Sequence, residues 1–253
     1  MTDTPPVRLG DRLVTIVETF LAAPRQSLSE VSAACGMEPS TTSRYLRQLV
    51  EHGWLERDEE TRLYSLGVRM IAIGHAARSA RPLRARLLPH MRELVMRFDE
   101  TVNLAVHQSG EVVVIEAVEG GRSIRRGASV GDRDNWFTSS LGKAIMAHLP
   151  EWQVVQLWER HRPDRRTQHT LVELDAALAD LEAVRRNGYA LDDEEEEIGL
   201  KCVGVAISDA RGQYTHALSI SGPTARMNER LTETIEALQS VARSVDGGRR
   251  EAR

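Results

Sequence analysis

The sequence predicts an α+β protein of two domains, and three observations carry that reading. Apolar residues recur at helical spacing through the first fifty positions, then give way to two short alternating runs. A second helical stripe begins at Pro82 and changes at Thr101 to a period of two, the mark of a sheet. Between the two patterns lies an arginine-rich stretch, residues 67–97, with seven Arg against one Glu.

Residues 2–7 hold two prolines and no apolar pattern, and read as a disordered tip. Asp11 to Ala22 places Leu13, Ile16, Val17 and Phe20 on one helical face, and Pro24 closes it. Ser27-Leu-Ser-Glu30 is a capping-box pattern, in which a hydroxyl and a carboxylate three residues on satisfy the first amides of a helix. Leu28, Val31 and Ala34 give that helix its apolar side, and Gly36 turns the chain. Pro39 suits the first position of a next helix, where no amide donor is missed. Tyr45, Leu46, Leu49 and Val50 bury one side of it; the other carries Ser40, Thr41, Ser43, Arg44, Arg47 and Gln48, with no carboxylate. Residues 55–58 and 62–66 then read as strands around an acidic turn at Glu59-Glu60. Helix, glycine turn, helix and hairpin make the plan of a winged helix-turn-helix. Arg pairs with guanine, Gln with adenine, and Ser or Thr with phosphate, so this face predicts a reader of double-stranded DNA through Ser40, Thr41, Thr42, Ser43, Arg44, Arg47, Gln48 and, at the wing, Arg62.

Val68, Ile71, Ala72 and His75 keep helical spacing over residues 68–79, which we read as a linker helix between a first domain, 1–67, and a second, 80–253. Leu83, Leu87, Leu88, Met91, Leu94, Val95 and Phe98 form the next stripe. Thr101 to His107 and Glu111 to Ala117 alternate around a Gln-Ser-Gly turn as a hairpin. A third strand is expected at Ser123 to Arg126, a loop at Gly127 to Asn135, and short helices at Ser139 to His148 and Glu151 to Trp158. Residues 161–169 read as a polar loop, and Thr170-Leu-Val-Glu173 as a second capping box leading a helix that ends at Asn187-Gly188. Strands follow at 189–192, 201–208 and 215–221, then an amphipathic helix carrying Leu231, Ile235, Leu238, Ala242 and Val245. The flanking helices should pack on one face of an antiparallel sheet, leaving the loops of the other face for a small-ligand pocket.

At 253 residues, 41% hydrophobic and 28% charged, the chain has the composition of a soluble globular protein with room for two cores. The net charge of −4 runs against a nucleic-acid partner, and residues 1–66 carry seven Arg against ten Asp or Glu. DNA binding needs cations where the phosphates lie, not a basic total. The apolar runs are too short to span a bilayer, and the N-terminus lacks the basic start and apolar run of a secretion signal, so no membrane partner and a cytoplasmic setting are expected. Cys35 and Cys202 lie far apart, which predicts neither a disulfide nor a metal pair. No cofactor fingerprint occurs. Ser140-Leu-Gly-Lys143 matches S-x-x-K, but the partner motifs S-D-N and K-T-G are absent, and we assign no catalytic residue. A second reading, a sensor acting through protein contacts, would use the helix-turn-helix only for dimerisation.

Four segments resemble the IclR family of bacterial transcriptional regulators: Ser40-Thr-Thr-Ser-Arg44, Tyr64-Ser-Leu-Gly67, Leu141-Gly-Lys-Ala144, and the run from Asn187-Gly-Tyr-Ala-Leu-Asp-Asp-Glu194 through Gly199-Leu-Lys-Cys202 to Ser219-Ile-Ser-Gly-Pro223. The resemblance implies a GAF-like effector-binding domain after the linker, and dimers or dimers of dimers on pseudo-palindromic operators, commonly as repressors. It further implies an organic or aromatic carboxylate as effector. The matching pocket positions are Ser123, Arg126, the amides of Ser140 and Leu141, Asp192, Cys202, Ser219 and Ser221. Arg126 stands where family members often have an apolar side chain and could clamp a carboxylate. Asp134-Asn-Trp-Phe137 replaces a basic residue and proline at the pocket mouth. In the acidic run 192–197, Asp192 is a pocket candidate and Glu194 to Glu197 read as a solvated face. Lys143, one of two lysines, is expected in a structural or pocket-rim role.

Overall fold

The computed structural model describes residues 9–123 and 129–247. The disordered tip expected at residues 2–7 lies outside them. The chain divides into two compact units between Ala80 and Arg81.

In the first unit, α1 (Leu9–Ala22), α2 (Leu28–Cys35) and α3 (Pro39–Glu51) precede a hairpin of β1 (Leu55–Arg57) and β2 (Tyr64–Leu66). The capping box at the start of α2 is complete: the Glu30 amide donates to Ser27 Oγ, and the Ser27 amide donates to Glu30 Oε2 at 2.7 Å. Gly36 ends α2 at φ +60°, a left-handed conformation that a side chain resists. Ile16, Phe20, Val31, Tyr45, Leu46, Leu49, Leu55 and Tyr64 make the core. Ala34 does not join it and is exposed; Ser32 is buried instead, its hydroxyl donating to the Leu28 carbonyl. α4 (Val68–Ser79) forms over the span expected of the linker, yet none of its side chains is buried, and Ile71 is 73% exposed.

The second unit opens with α5 (Pro82–Phe98) and the hairpin β3 (Thr101–Gln108), β4 (Glu111–Val118). β5 (Arg133–Asp134), α6 (Ser140–Met146), α7 (Glu151–His161) and α8 (Leu174–Asn187) follow. The chain continues through β6 (Ala190–Asp193), β7 (Leu200–Ser208), β8 (Tyr214–Pro223), α9 (Thr224–Glu229) and α10 (Leu231–Gly247). Among the described residues six strands pair antiparallel in the order β5-β4-β3-β8-β7-β6. As expected, α5 and α10 pack together on one face, where Leu87, Met91, Leu94, Phe98 and Leu238 meet Val102, Leu104, Val203, Val205, Leu218 and Ile220.

The other face is not the open loop surface expected. Leu141, Ile145, Trp158, Leu181 and Val184 from α6, α7 and α8 cover it, with Ala105, Ala190 and Ala217 beneath. Three further expectations change. The loop at 127–135 contains β5, paired to Val112 and Val113; residues 124–128, where most of the third strand was expected, lie outside the described residues, and Ser123 is not in a strand. Thr170 caps no helix. α8 starts after Glu173 without a side-chain cap, because the Thr170 hydroxyl is committed elsewhere: it accepts from the Arg166 and Thr167 amides and donates to the Glu195 carbonyl at 2.8 Å. The short α9 was not anticipated.

Candidate functional site

α3 turns one side to its own core and one to solvent. Ser40, Arg44, Arg47 and Gln48 are exposed, and Thr41 and Ser43 are half-buried. Thr42 does not belong with them. It is 0% exposed and its hydroxyl donates to the Glu38 carbonyl at 3.1 Å, so it faces the core and cannot touch a nucleic acid. The Arg44 guanidinium lies 5.3 Å from the centroid of the Tyr45 ring. Hydrogen bonds from Arg12 and Arg44 hold the Tyr45 phenol below its ordinary range. Arg44 is thereby aimed from a fixed base, whereas Arg47 is free to search. At the wing, Asp58 Oδ1 accepts the Glu60 and Thr61 amides and Asp58 Oδ2 meets Arg25 at 2.9 Å. Arg62 takes φ +61° in that turn, 3.8 Å from Glu59, and remains exposed. Beside this face an apolar groove of about 680 Å³ is lined by Leu13, Val14, Val17, Leu49 and Trp54.

In the second unit the structure assembles a polar band on the sheet face beneath α6. Register explains it. Thr101 pairs with Ser221, Ser221 with Cys202 and Cys202 with Asp192; one step along, Asn103 pairs with Ser219 and Ser219 with Gly204. Alternation sends all of these to one side while Val102, Leu104, Val203 and Ile220 go to the other. Thr101, Asn103, Asp192, Cys202, Ser219 and Ser221 are all buried. Four of the eight expected pocket positions, Asp192, Cys202, Ser219 and Ser221, thus share one band. Ser140 and Leu141, the first two residues of α6, are buried above it. Ser123 is exposed, and Arg126 lies outside the described residues.

Gly204 sets the spacing. A Cβ there would lie 2.5 Å from the Ser140 carbonyl oxygen, so only glycine lets α6 descend onto the sheet. Gly204→Ala should lift α6 and cost about 1–3 kcal/mol, the usual price of overpacking; thermal unfolding of the variant checks it.

The acidic run is not a solvated face. Asp192 Oδ1 accepts the Glu195 amide at 2.9 Å and the Glu196 amide at 3.3 Å, curling the chain into a tight turn. Glu195 is buried and meets Lys143 Nζ at 2.5 Å, and Asp180 meets the same ammonium at 3.0 Å. Lys143 is 3% exposed. Burial works against its charge, but Glu195 and Asp180 outweigh it and hold its pKa above the ordinary lysine value. Burial dominates at Glu195, pushing its pKa up to about 7 in spite of Lys143. Glu196 takes the Thr138 hydroxyl and Arg166, the latter at 2.7 Å, and only Glu197 of the four glutamates is fully exposed. Among the described residues no cluster of three His, Cys, Asp or Glu could hold a metal ion, and no helix is long and apolar enough to cross a membrane.

The sequence reading missed Asn103 and Gly204. Their signal was present: Thr101 and Asn103 alternate with Val102 and Leu104, but polar positions of a strand are ordinarily read as solvent-facing, and here both faces are covered.

A winged helix-turn-helix whose second helix exposes Ser40, Arg44, Arg47 and Gln48, carried on one chain with a domain that buries a polar band, fits a ligand-responsive DNA-binding regulator. Residues 11–59 match the IclR helix-turn-helix domain, and residues 75–247 match the domain described as bacterial transcriptional regulator IclR C-terminal. The chain belongs to the IclR family of transcriptional regulators. It is 31% identical over 247 residues to the HTH-type transcriptional regulator BhcR of Paracoccus denitrificans, covering 97% of this chain and 88% of that one. It is 32% identical to the transcriptional repressor IclR of Escherichia coli, covering 88% and 84%. Among solved structures, an IclR homolog from Microbacterium hydrocarbonoxydans complexed with 4-hydroxybenzoate superposes with a TM-score of 0.80 at 26% identity, covering 95% and 98%. These relatives regulate transcription, and the chain is a regulator rather than an enzyme.

Proposed function

We propose that the chain represses transcription as a homodimer, or a pair of dimers, on a pseudo-palindromic operator, and that a small carboxylate alters that binding. Residues 1–67 would hold the DNA and 80–253 the effector, with 68–79 linking them. Ser40, Thr41, Ser43, Arg44, Arg47, Gln48 and Arg62 are the contacting set, with recognition helices entering successive major grooves roughly 34–36 Å apart. The exposed Val68 and Ile71, with the apolar groove of α1 and α3, support a second copy as the partner of this unit. Repression is favoured by the named repressors among the relatives. The observation that carries the effector reading is the band of Asp192, Cys202, Ser219 and Ser221, polar yet sealed from solvent. Burying hydroxyls and a carboxylate is costly unless partners satisfy them, and a polar ligand is one such partner.

A thermal-shift screen against small aliphatic and aromatic acids, run on the wild type and on Arg126→Ala, tests it. An acid at 100 times its dissociation constant should stabilise the native state by about 2.7 kcal/mol. A hit weakened in the variant supports Arg126 as the clamp; a hit of unchanged affinity removes that role. A screen in which no acid binds removes the carboxylate.

A further inference from the structure

Asn103 and Ser219 face each other across β3 and β8 as a register pair, 2% and 1% exposed. Asn103 Nδ2 donates to Ser221 Oγ at 3.5 Å, a long contact. Asn103 Oδ1 and Ser219 Oγ are buried with no hydrogen-bond partner among the described residues. Two such groups side by side are costly unless a partner reaches them. They sit two residues along from Ser221 and Thr101, on the same face of the sheet and in the band already assigned to the effector.

We infer that Asn103, with Ser219, is the specificity-determining pair of this pocket, and that it selects a hydroxyl group on the effector, a conclusion that rests on the band being the effector site. The chemistry is a matter of donors and acceptors. A carboxylate or carbonyl oxygen only accepts, so it can satisfy the Ser219 hydroxyl but not Asn103 Oδ1. An ammonium can donate to both oxygens, but it must bury a full positive charge to do so. With Asn103 Nδ2 held on Ser221 Oγ, a hydroxyl gives one hydrogen to Asn103 Oδ1 and takes another from Ser219, and so completes both groups at once. The effector class is therefore a hydroxylated small acid, its hydroxyl on the Asn103–Ser219 pair and its carboxylate elsewhere in the pocket. Asn103 acts by its unmet acceptor, which penalises every analogue that lacks the hydroxyl.

The test is calorimetric titration of the full chain with matched pairs: propionate and lactate, benzoate and 4-hydroxybenzoate, and the neutral pair benzamide and 4-hydroxybenzamide. In the wild type the hydroxylated member of at least one pair should bind about tenfold or more tightly, the value of one hydrogen bond to a buried acceptor. Asn103→Leu, close in volume, should bring that ratio to within about twofold, weakening the hydroxylated member and relieving the penalty on the plain one. Ser219→Ala, which removes a single buried oxygen, should reduce the ratio part-way and serves should Asn103→Leu fail to fold. Equal binding of both members by the wild type overturns the inference, because the pair is then satisfied by water. A ratio unchanged in both variants also overturns it, since the hydroxyl is then read elsewhere. Discrimination seen only in the neutral pair keeps the inference and removes the carboxylate from the proposed function. No binding of any member removes both.

Discussion

Lys143→Met should destabilise the second unit by about 3–5 kcal/mol, the cost of stripping the partner from buried charges. The variant leaves the buried Glu195 carboxyl against an apolar side chain, where its charged form has lost its counter-ion. The loss should grow with pH. Glu195 titrates near 7 in the folded chain against an ordinary 4.5, so between those values the native state holds a proton that the unfolded state has released. Stability from this group is complete below about pH 4.5 and is lost as pH rises through 7. Without Lys143 the carboxyl must stay protonated further up the scale, and the variant should be worse at pH 8 than at pH 5. Urea unfolding of both proteins at the two pH values measures it, with Glu195→Gln as the control that flattens the slope. A variant as stable as the wild type at pH 8 would show that the ammonium holds nothing in place.

The second large effect belongs to DNA. Arg44→Ala combined with Arg47→Ala should weaken operator binding by about 1–3 kcal/mol for the base contact of Arg44, with a further loss from the phosphate contact of Arg47. Both guanidiniums are exposed, so melting of the free protein should barely move. The two residues should fail differently. Arg44, steadied on Tyr45, is placed to read a base, and its loss should relax preference at one operator position. Arg47 has no such support and suits a phosphate; its loss should weaken all duplexes alike and lower the salt slope by about 0.9. Fluorescence anisotropy on operator and unrelated duplexes, across a salt series, separates the roles. Unchanged binding by the double variant would take α3 out of the interface.

Local chemistry made the first unit legible. The Ser27–Glu30 box, the turn at Gly36 and the stripe of Tyr45, Leu46 and Leu49 each act within a few residues. Thr42 was misplaced because a hydroxyl on a helix can turn back to the carbonyl four residues earlier as readily as outward. In the second unit the alternation of β3 and β4 gave the hairpin, but not what lay over it. Glu195 looked like its neighbours because its partner, Lys143, is 52 residues away. Thr170 and Glu173 had the spacing of a cap, yet the Thr170 hydroxyl answers amides and a carbonyl that the sequence does not set beside it. β5 and α9 are two and six residues long, too short for the pattern that would announce them to complete a second repeat. Asp192, Cys202, Ser219 and Ser221 came from resemblance; only the register made them one surface.

The order of the sheet also constrains how copies of this chain can join. Among the described residues its long strands, β4, β3, β8 and β7, are interior, and its margins are β5, of two residues, and β6, of four, which runs straight into the acidic turn. Margins this short limit the ladder that a foreign strand could extend from them. A second copy docking edge to edge would meet two or four residues of margin strand and, beside β6, the charges of the acidic turn.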